Sequence, residues 1–391
     1  MAALLAGAVA GALAGWLTVI LLVHPVRARG MPGVLDLQGV VSARAASLSA
    51  FATRNLVVAL PQPRHFFEQL GPDRFRREFG RSLKARIDEH VDDVMSRRNE
   101  RVWGSLSVYA RNRVYAHVHR RLPYVVDDFV DSLQGELDDL VQPTELVRRH
   151  LVESPETVAA TFLAAFGAGL RSALPLSALA GLLVGGLLLW LGLGGALLTV
   201  LTTTLAAACG SWVMLLVLAR PRVPGGIWPW RAHGILYRRR REFLRGLATR
   251  LANDALSWRA LAGEFFGESQ ASRVRQVMRR QVSSIVDSPV FKATLQFLVG
   301  AEGVVAVKTS AVEKALEVLS STPVSAALRE HYRVEVERTL LQAADDVSPE
   351  AYESLWRDVL RPAWRILPAL LAVGGLVAGV AVTQLAGVLA S

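Results

Sequence analysis

The sequence predicts an all-α integral membrane protein with four transmembrane helices in two span–cytoplasmic region–span halves and helical cytoplasmic bundles. Three observations carry this: uncharged runs, the charged regions between them, and helical periodicity in those regions. A bilayer core about 30 Å thick needs about 20 apolar residues in a helix. Met1 to Val23 carries no charge, Ser172 to Ala219 is 48 residues without one, and Ile366 to Ser391 is another 26. Mean hydropathy is +0.32, with 52% hydrophobic and 20% charged residues, which excludes a disordered chain. Cys209 is the sole cysteine, which excludes a disulfide scaffold.

The first span, 1–23, lacks a basic leading segment and is apolar from its second residue, so it reads as an uncleaved anchor. The charged region 24–171 follows. The 48-residue run is too long for one crossing, and Gly192-Leu193-Gly194-Gly195 breaks it into spans 172–191 and 196–219. Region 220–365 and a fourth span, 366–389, complete the order. Ser154-Pro155-Glu156 and Ser348-Pro349-Glu350 each combine an N-cap, a proline at the first helical position and an early acid. Each tripeptide therefore predicts a long helix running into the bilayer, to Leu191 and Leu389, interrupted only by Pro175 and Pro368.

Orientation follows from basic residues beside the spans. Arg27, Arg29, Arg171, Arg220, Arg222, Arg231, Arg361 and Arg365 fall on one side if both termini and the glycine turn lie on the other. Regions 24–171 and 220–365 are then cytoplasmic. Trp16, Trp190, Trp228, Trp230 and Trp364 lie near the proposed interfaces, where amphipathic rings settle.

The two halves also resemble each other. An offset of 199 pairs Phe66-Phe67 with Phe265-Phe266, and Phe75, Phe79, Leu83 and Ile87 with Val274, Met278, Val282 and Val286. An offset of 194 pairs the two Ser-Pro-Glu tripeptides, Arg171 with Arg365, and Gly181 and Gly185 with Gly375 and Gly379. We read an internal repeat.

Within the charged regions, Phe75, Phe79, Leu83, Ile87 and Val91 form one helical stripe. Leu122, Val125, Val126, Phe129, Val130, Leu133, Leu137, Leu140 and Val141 form another, and Phe243, Leu244, Leu247, Leu251 and Leu256 a third. Such stripes either pack together as a bundle or line a groove for acyl chains or a partner helix. Residue types alone leave both open.

The net charge is +10, from 44 basic residues against 34 acidic. Arg238, Arg239, Arg240 and Arg241 follow the third span and are placed to meet anionic headgroups. Membrane lipids, anionic ones above all, are the expected partners. Nucleic acid is not, because no zinc finger, RNP pattern or helix-turn-helix accompanies the charge.

Motifs for chemistry are absent: no Walker loop, G-x-S-x-G, H-E-x-x-H or Rossmann fingerprint occurs. His117 and His119 diverge on a helix, so they do not make a metal pair. Asp92-Asp93, Asp127-Asp128 with Asp131, and Asp345-Asp346 read as solvated acidic faces rather than magnesium sites. No enzyme activity, catalytic residue, metal or cofactor is expected. The spans hold no Asp, Glu, Lys or Arg, which disfavours an energised carrier. Thr202-Thr203-Thr204, Thr383 and Gln384 are their main polar groups, and span hydroxyls usually bond their own helix. Gly7, Gly11 and Gly15, Gly181 with Gly185, and Gly375 with Gly379 recur every four residues, which predicts close helix packing.

Gly15-Trp16-Leu17-Thr18, His24-Pro25 and Leu37-Gln38-Gly39-Val40-Val41 resemble the opening of the bacterial membrane family of domain of unknown function 445 (YheB/YjiN-like). Tyr352, Leu360-Arg361-Pro362, Gly374-Gly375, Gly379 and Gln384 resemble its end. Val19 stands where that family commonly has Asn, and Ser42-Ala43-Arg44 where Pro-Lys-Arg is usual. The resemblance implies a multi-pass protein of the bacterial cytoplasmic (inner) membrane with helical cytoplasmic regions, and no enzymatic activity. The expected role is a scaffold or assembly protein of the cell envelope, with further copies of itself or other envelope proteins as partners. The alternative is a lipid-handling protein or solute conduit formed between the two repeat halves.

Overall fold

A computed structural model describes residues 2–27, 38–140, 142–220, 234–266, 268–321 and 326–390. Arg29, Leu37, Val141, Arg222, Trp228, Trp230 and Arg231 lie outside them. The described residues are predominantly helical, without a strand. In chain order the helices are α1 (Ala2–Val23), α2 (Val40–Ala43), α3 (Ala45–Asn55), α4 (Pro63–Leu70), α5 (Pro72–Ser105) and α6 (Val108–Leu140). Next come α7 (Pro143–Glu153), α8 (Pro155–Trp190), α9 (Gly195–Ala219), α10 (Ile235–Arg238), α11 (Arg240–Arg250) and α12 (Trp258–Phe266). The last are α13 (Glu268–Val286), α14 (Pro289–Ser321), α15 (Ala326–Asp346), α16 (Pro349–Leu360) and α17 (Ala363–Ala390).

Among the described residues four stretches are long and apolar enough to cross a membrane: Ala3–Val23, Pro155–Trp190, Gly195–Ala219 and Pro349–Ala386. Between the second and third, Gly192 and Gly195 take φ of +74° and +66°, a left-handed backbone that favours glycine. α8 runs unbroken from Pro155 through Pro175, as its start signal predicts. The fourth stretch corrects the expectation of one long helix kinked at Pro368. A turn at 361–362 divides it, because Pro362 has no N–H to continue the α16 ladder and instead opens α17; the Arg365 and Ile366 amides donate to its carbonyl at 3.2 and 3.0 Å. The caps also differ. Ser348, extended at φ −66°, ψ 147°, accepts from the Ala351 amide, whereas the hydroxyl of Ser154, at φ −120°, ψ 66°, makes no capping hydrogen bond to α8.

The chain forms two units. Unit 1 holds residues 1–59, 144–255 and 338–391, and therefore all four apolar stretches. In it α1 packs on α8 and α9, and α9 packs on α17. Glycines make these approaches possible. A Cβ on Gly7, Gly11 or Gly181 would overlap backbone atoms of the facing helix, and one on Gly210 would lie 2.5 Å from the Gly11 carbonyl oxygen. One on Gly375 would lie 2.5 Å from the Thr203 carbonyl oxygen. Thr18 crosses from α1 to α9, its hydroxyl 2.9 Å from the Ser211 hydroxyl.

Beside these helices, Phe162 and Phe166 of α8 join Phe243 of α11 and Tyr352 and Trp356 of α16 in a buried aromatic cluster. Phe162 and Phe166 lie 5.0 Å apart, and Phe243 stands 5.3 Å from Trp356. Rings at such separations add to their burial energy.

Unit 2 holds residues 60–143 and 256–337, the middles of both charged regions. The two regions thus do not fold as separate bundles. Here α5 packs on α6, α6 on α13, α13 on α14, and α14 back on α5, a closed ring of four helices. Gly300, at φ +74°, kinks α14.

Candidate functional site

The ring of unit 2 encloses a half-open cavity of about 180 Å³. α5 lines it with Leu83, Ile87, Val91 and Val94, and α6 with Val118, Leu122, Val126 and Phe129. α13 adds Met278, Val282 and Val286, and α14 adds Leu295, Val307 and Ala311. Leu83, Ile87 and Val91, and Leu122, Val126 and Phe129, come from two of the predicted stripes, whereas Phe243 to Leu251 of the third lie in unit 1 and the α14 wall was not foreseen. Leu83 with Val282, and Ile87 with Val286, are pairs at the offset of 199, and both pairs line this one interior. The stripes do not fill it. An apolar void of roughly 150 Å³ stays dry and takes a benzene ring, so this space suits a hydrocarbon chain.

Polar groups at the wall are few. Lys314, 15% exposed, pairs with Asp93 at 2.8 Å and with Glu317 at 3.1 Å. Hydrogen bonds donated to these two carboxylates raise the Lys314 pKa. Burial, followed by the neighbouring Lys314 charge, lowers that of His90, which favours its neutral imidazole. The charged groups at the rim are thus engaged with one another, and the interior accepts uncharged apolar groups best.

The acidic clusters also have cationic or hydrogen-bonding partners. Arg76 binds Asp73 and Asp131, and Arg245 binds Asp345 at 2.8 Å. Asp92 accepts from the Trp103 indole at 2.9 Å and from the Tyr115 hydroxyl. His117 and His119 part as their spacing requires, toward Ser288 at 3.2 Å and Asp88 at 2.8 Å. Among the described residues no three His, Cys, Asp or Glu gather around a metal-sized space. Phe66, Phe75, Phe79, Leu133 and Leu140 have side chains outside the described set.

The other sequence-derived candidates lie in unit 1. The Arg238, Arg240 and Arg241 side chains make no hydrogen bond among the described residues, and Arg238 and Arg241 are exposed. Arg239 is turned to the protein, donating to the Ala165 carbonyl at 3.0 Å and pairing with Glu242 at 3.3 Å. It is committed to α8 rather than free for a headgroup.

The family-like residues form two local groups. Gly15 abuts Ser177, where a Cβ would lie 2.6 Å from the hydroxyl, next to the buried Thr18; Trp16 beside them is 51% exposed. His24 is exposed, while Pro25, Gln38 and Gly39 close a turn under α1. The Gly39 amide donates to the Pro25 carbonyl at 2.9 Å and the Gln38 amide group to the Val26 carbonyl at 3.0 Å. Gln384 is exposed on α17. Gly185 faces the Ala3 carbonyl, where a Cβ would lie 2.8 Å away, and Gly379 faces Thr203 and Val200.

Sequence reasoning missed one correspondence. Gly39 and Gly234, 195 residues apart, both lie against the end of the preceding apolar helix. A Cβ would meet the Val23 carbonyl oxygen at 2.5 Å in one case and the Leu218 carbonyl oxygen at 2.5 Å in the other. The joints that follow, Arg44 and Arg239, have φ, ψ of −105°, 23° and −106°, 23°. The two glycines and the two arginines were the available signal. No family model, curated protein or solved structure matches this chain.

Proposed function

We propose that this chain is a multi-pass lipid-handling protein, without enzymatic activity, whose unit 2 binds an apolar chain of a membrane lipid between the two repeat halves. The cavity among α5, α6, α13 and α14 carries this reading, since a closed core would have no use for it. The scaffold reading rests on the glycine faces that join α1, α8 and α9, and leaves the cavity without a role. Those same close approaches argue against a conduit among the apolar helices of unit 1. The sequence resemblance supports a site in the bacterial cytoplasmic membrane.

The test is photo-crosslinking of the full chain in liposomes containing a diazirine-bearing acyl lipid. Labelled peptides should map to α6 and α13 as well as to the apolar helices, and Ala311→Trp should lose only the former. Labelling confined to α1, α8, α9 and α17 would sink the proposal.

In this reading the termini and the 192–195 turn lie outside and regions 24–171 and 220–365 are cytoplasmic. Take a Cys209→Ala chain with single replacements Gly194→Cys, Ser132→Cys or Ser283→Cys. An impermeant thiol reagent applied to intact cells should label the first alone. Labelling at position 132 would overturn the orientation.

A further inference from the structure

The outer face of α6 carries a feature that neither the cavity nor the arginine run near α10 accounts for. Tyr109, Arg113, Arg120 and Tyr124 recur at spacings of four, seven and four, which places them on one side of the helix. All four are exposed, the two tyrosines by 75% and 65%. Val114, Val118, Leu122 and Val126 occupy the opposite, buried side. The two tyrosines are therefore separated by about 22 Å along one helix face.

The stretch 101–126 contains no Asp or Glu. Several other cations of unit 2 are ion-paired: Arg76 with Asp73, Arg86 with Glu89, Lys308 with Asp287, and Arg333 with Glu330 and Glu337. Arg113, Arg120 and Arg121 have no ion pair among the described residues, although all three are exposed. The neighbouring α13, packed on α6, repeats the pattern. Its stretch 269–286 is also free of acids, and Arg275, Arg279 and Arg280 are exposed without an ion pair among the described residues.

We infer that the Tyr109–Tyr124 face of α6 is a docking surface for an anionic bilayer. Unpaired guanidinium groups meet lipid phosphates, and exposed tyrosines are the rings that settle at headgroup depth. A bilayer fits better than RNA because the same chain has four helices long and apolar enough to cross one, which would hold the surface near lipid at high effective concentration. This surface does not depend on what fills the cavity.

The experiment uses the full chain with Cys209→Ala and A116C, carrying an environment-sensitive fluorophore at position 116 between Arg113 and Arg120. It is reconstituted in phosphatidylcholine liposomes with or without phosphatidylglycerol. In the anionic vesicles the emission should shift blue and be quenched by doxyl-labelled lipid, and high salt should reverse both. Arg113→Gln, Arg120→Gln and Arg121→Gln combined should lower the docked-to-undocked ratio on the order of a hundredfold. Tyr109→Ser with Tyr124→Ser, which keeps the charge, should leave a shallower, salt-sensitive signal. A fluorophore that stays water-exposed in both vesicles, ignores the triple substitution, or responds only to added RNA overturns the inference.

Discussion

Trp356→Ala should destabilise unit 1 by about 3–5 kcal/mol, the usual cost of deleting a buried Trp or Phe side chain. Trp356 is 1% exposed and stands between Phe162 and Phe243, at 5.6 and 5.3 Å. Through these contacts α8 of the first half meets α11 and α16 of the second. The melting temperature of the full chain in detergent, followed by circular dichroism, should fall on the order of 10 °C. Trp356→Phe keeps a ring in place and should cost less than half as much. An alanine variant that melts within about 2 °C of the parent would show that this cluster does not hold the halves together.

Gly181→Leu should cost about 3 kcal/mol or more, because its first added carbon already overlaps the Gly7 carbonyl and leaves α1 no room to stay. Nearby glycines give an internal comparison. A methyl on Gly374 would meet nothing within 4 Å, and one on Gly186 only the Leu4 side chain at 3.5 Å. Gly374→Ala and Gly186→Ala should therefore change stability by less than about 0.5 kcal/mol. Thermal unfolding in detergent separates the two classes. Equal melting of all three variants would refute close α1–α8 packing.

The ends of α1 and α9 were legible because charge and glycine mark them directly: Arg27 lies four residues past Val23, and Gly194-Gly195 opens α9. The break between α16 and α17 was equally visible at Pro362, yet the apolar run beginning at Ile366 drew attention to Pro368. The four-helix ring left almost no local trace. Ile87 and Val286 share an interior across 199 residues, and periodicity records that each lies on an apolar face without saying which face it meets. Whether those faces close or leave a cavity depends on how side-chain volumes sum, which spacing does not encode. Arg239 shows the same limit for candidate sites. Four consecutive arginines look alike in sequence, and the joint at α10 decides that this one turns toward Ala165.

α8 is 36 residues long, about 54 Å, which exceeds the thickness of a bilayer core. Phe162 and Phe166 fasten one end in the aromatic cluster, and Gly181 and Gly185 fasten the other against α1. A tilt of about 10° around its midpoint moves each end by about 5 Å. The glycine seats tolerate only a small fraction of that. α8 is therefore a beam held at both ends: a load on its apolar stretch is passed to the aromatic cluster at Trp356 and to α1 together.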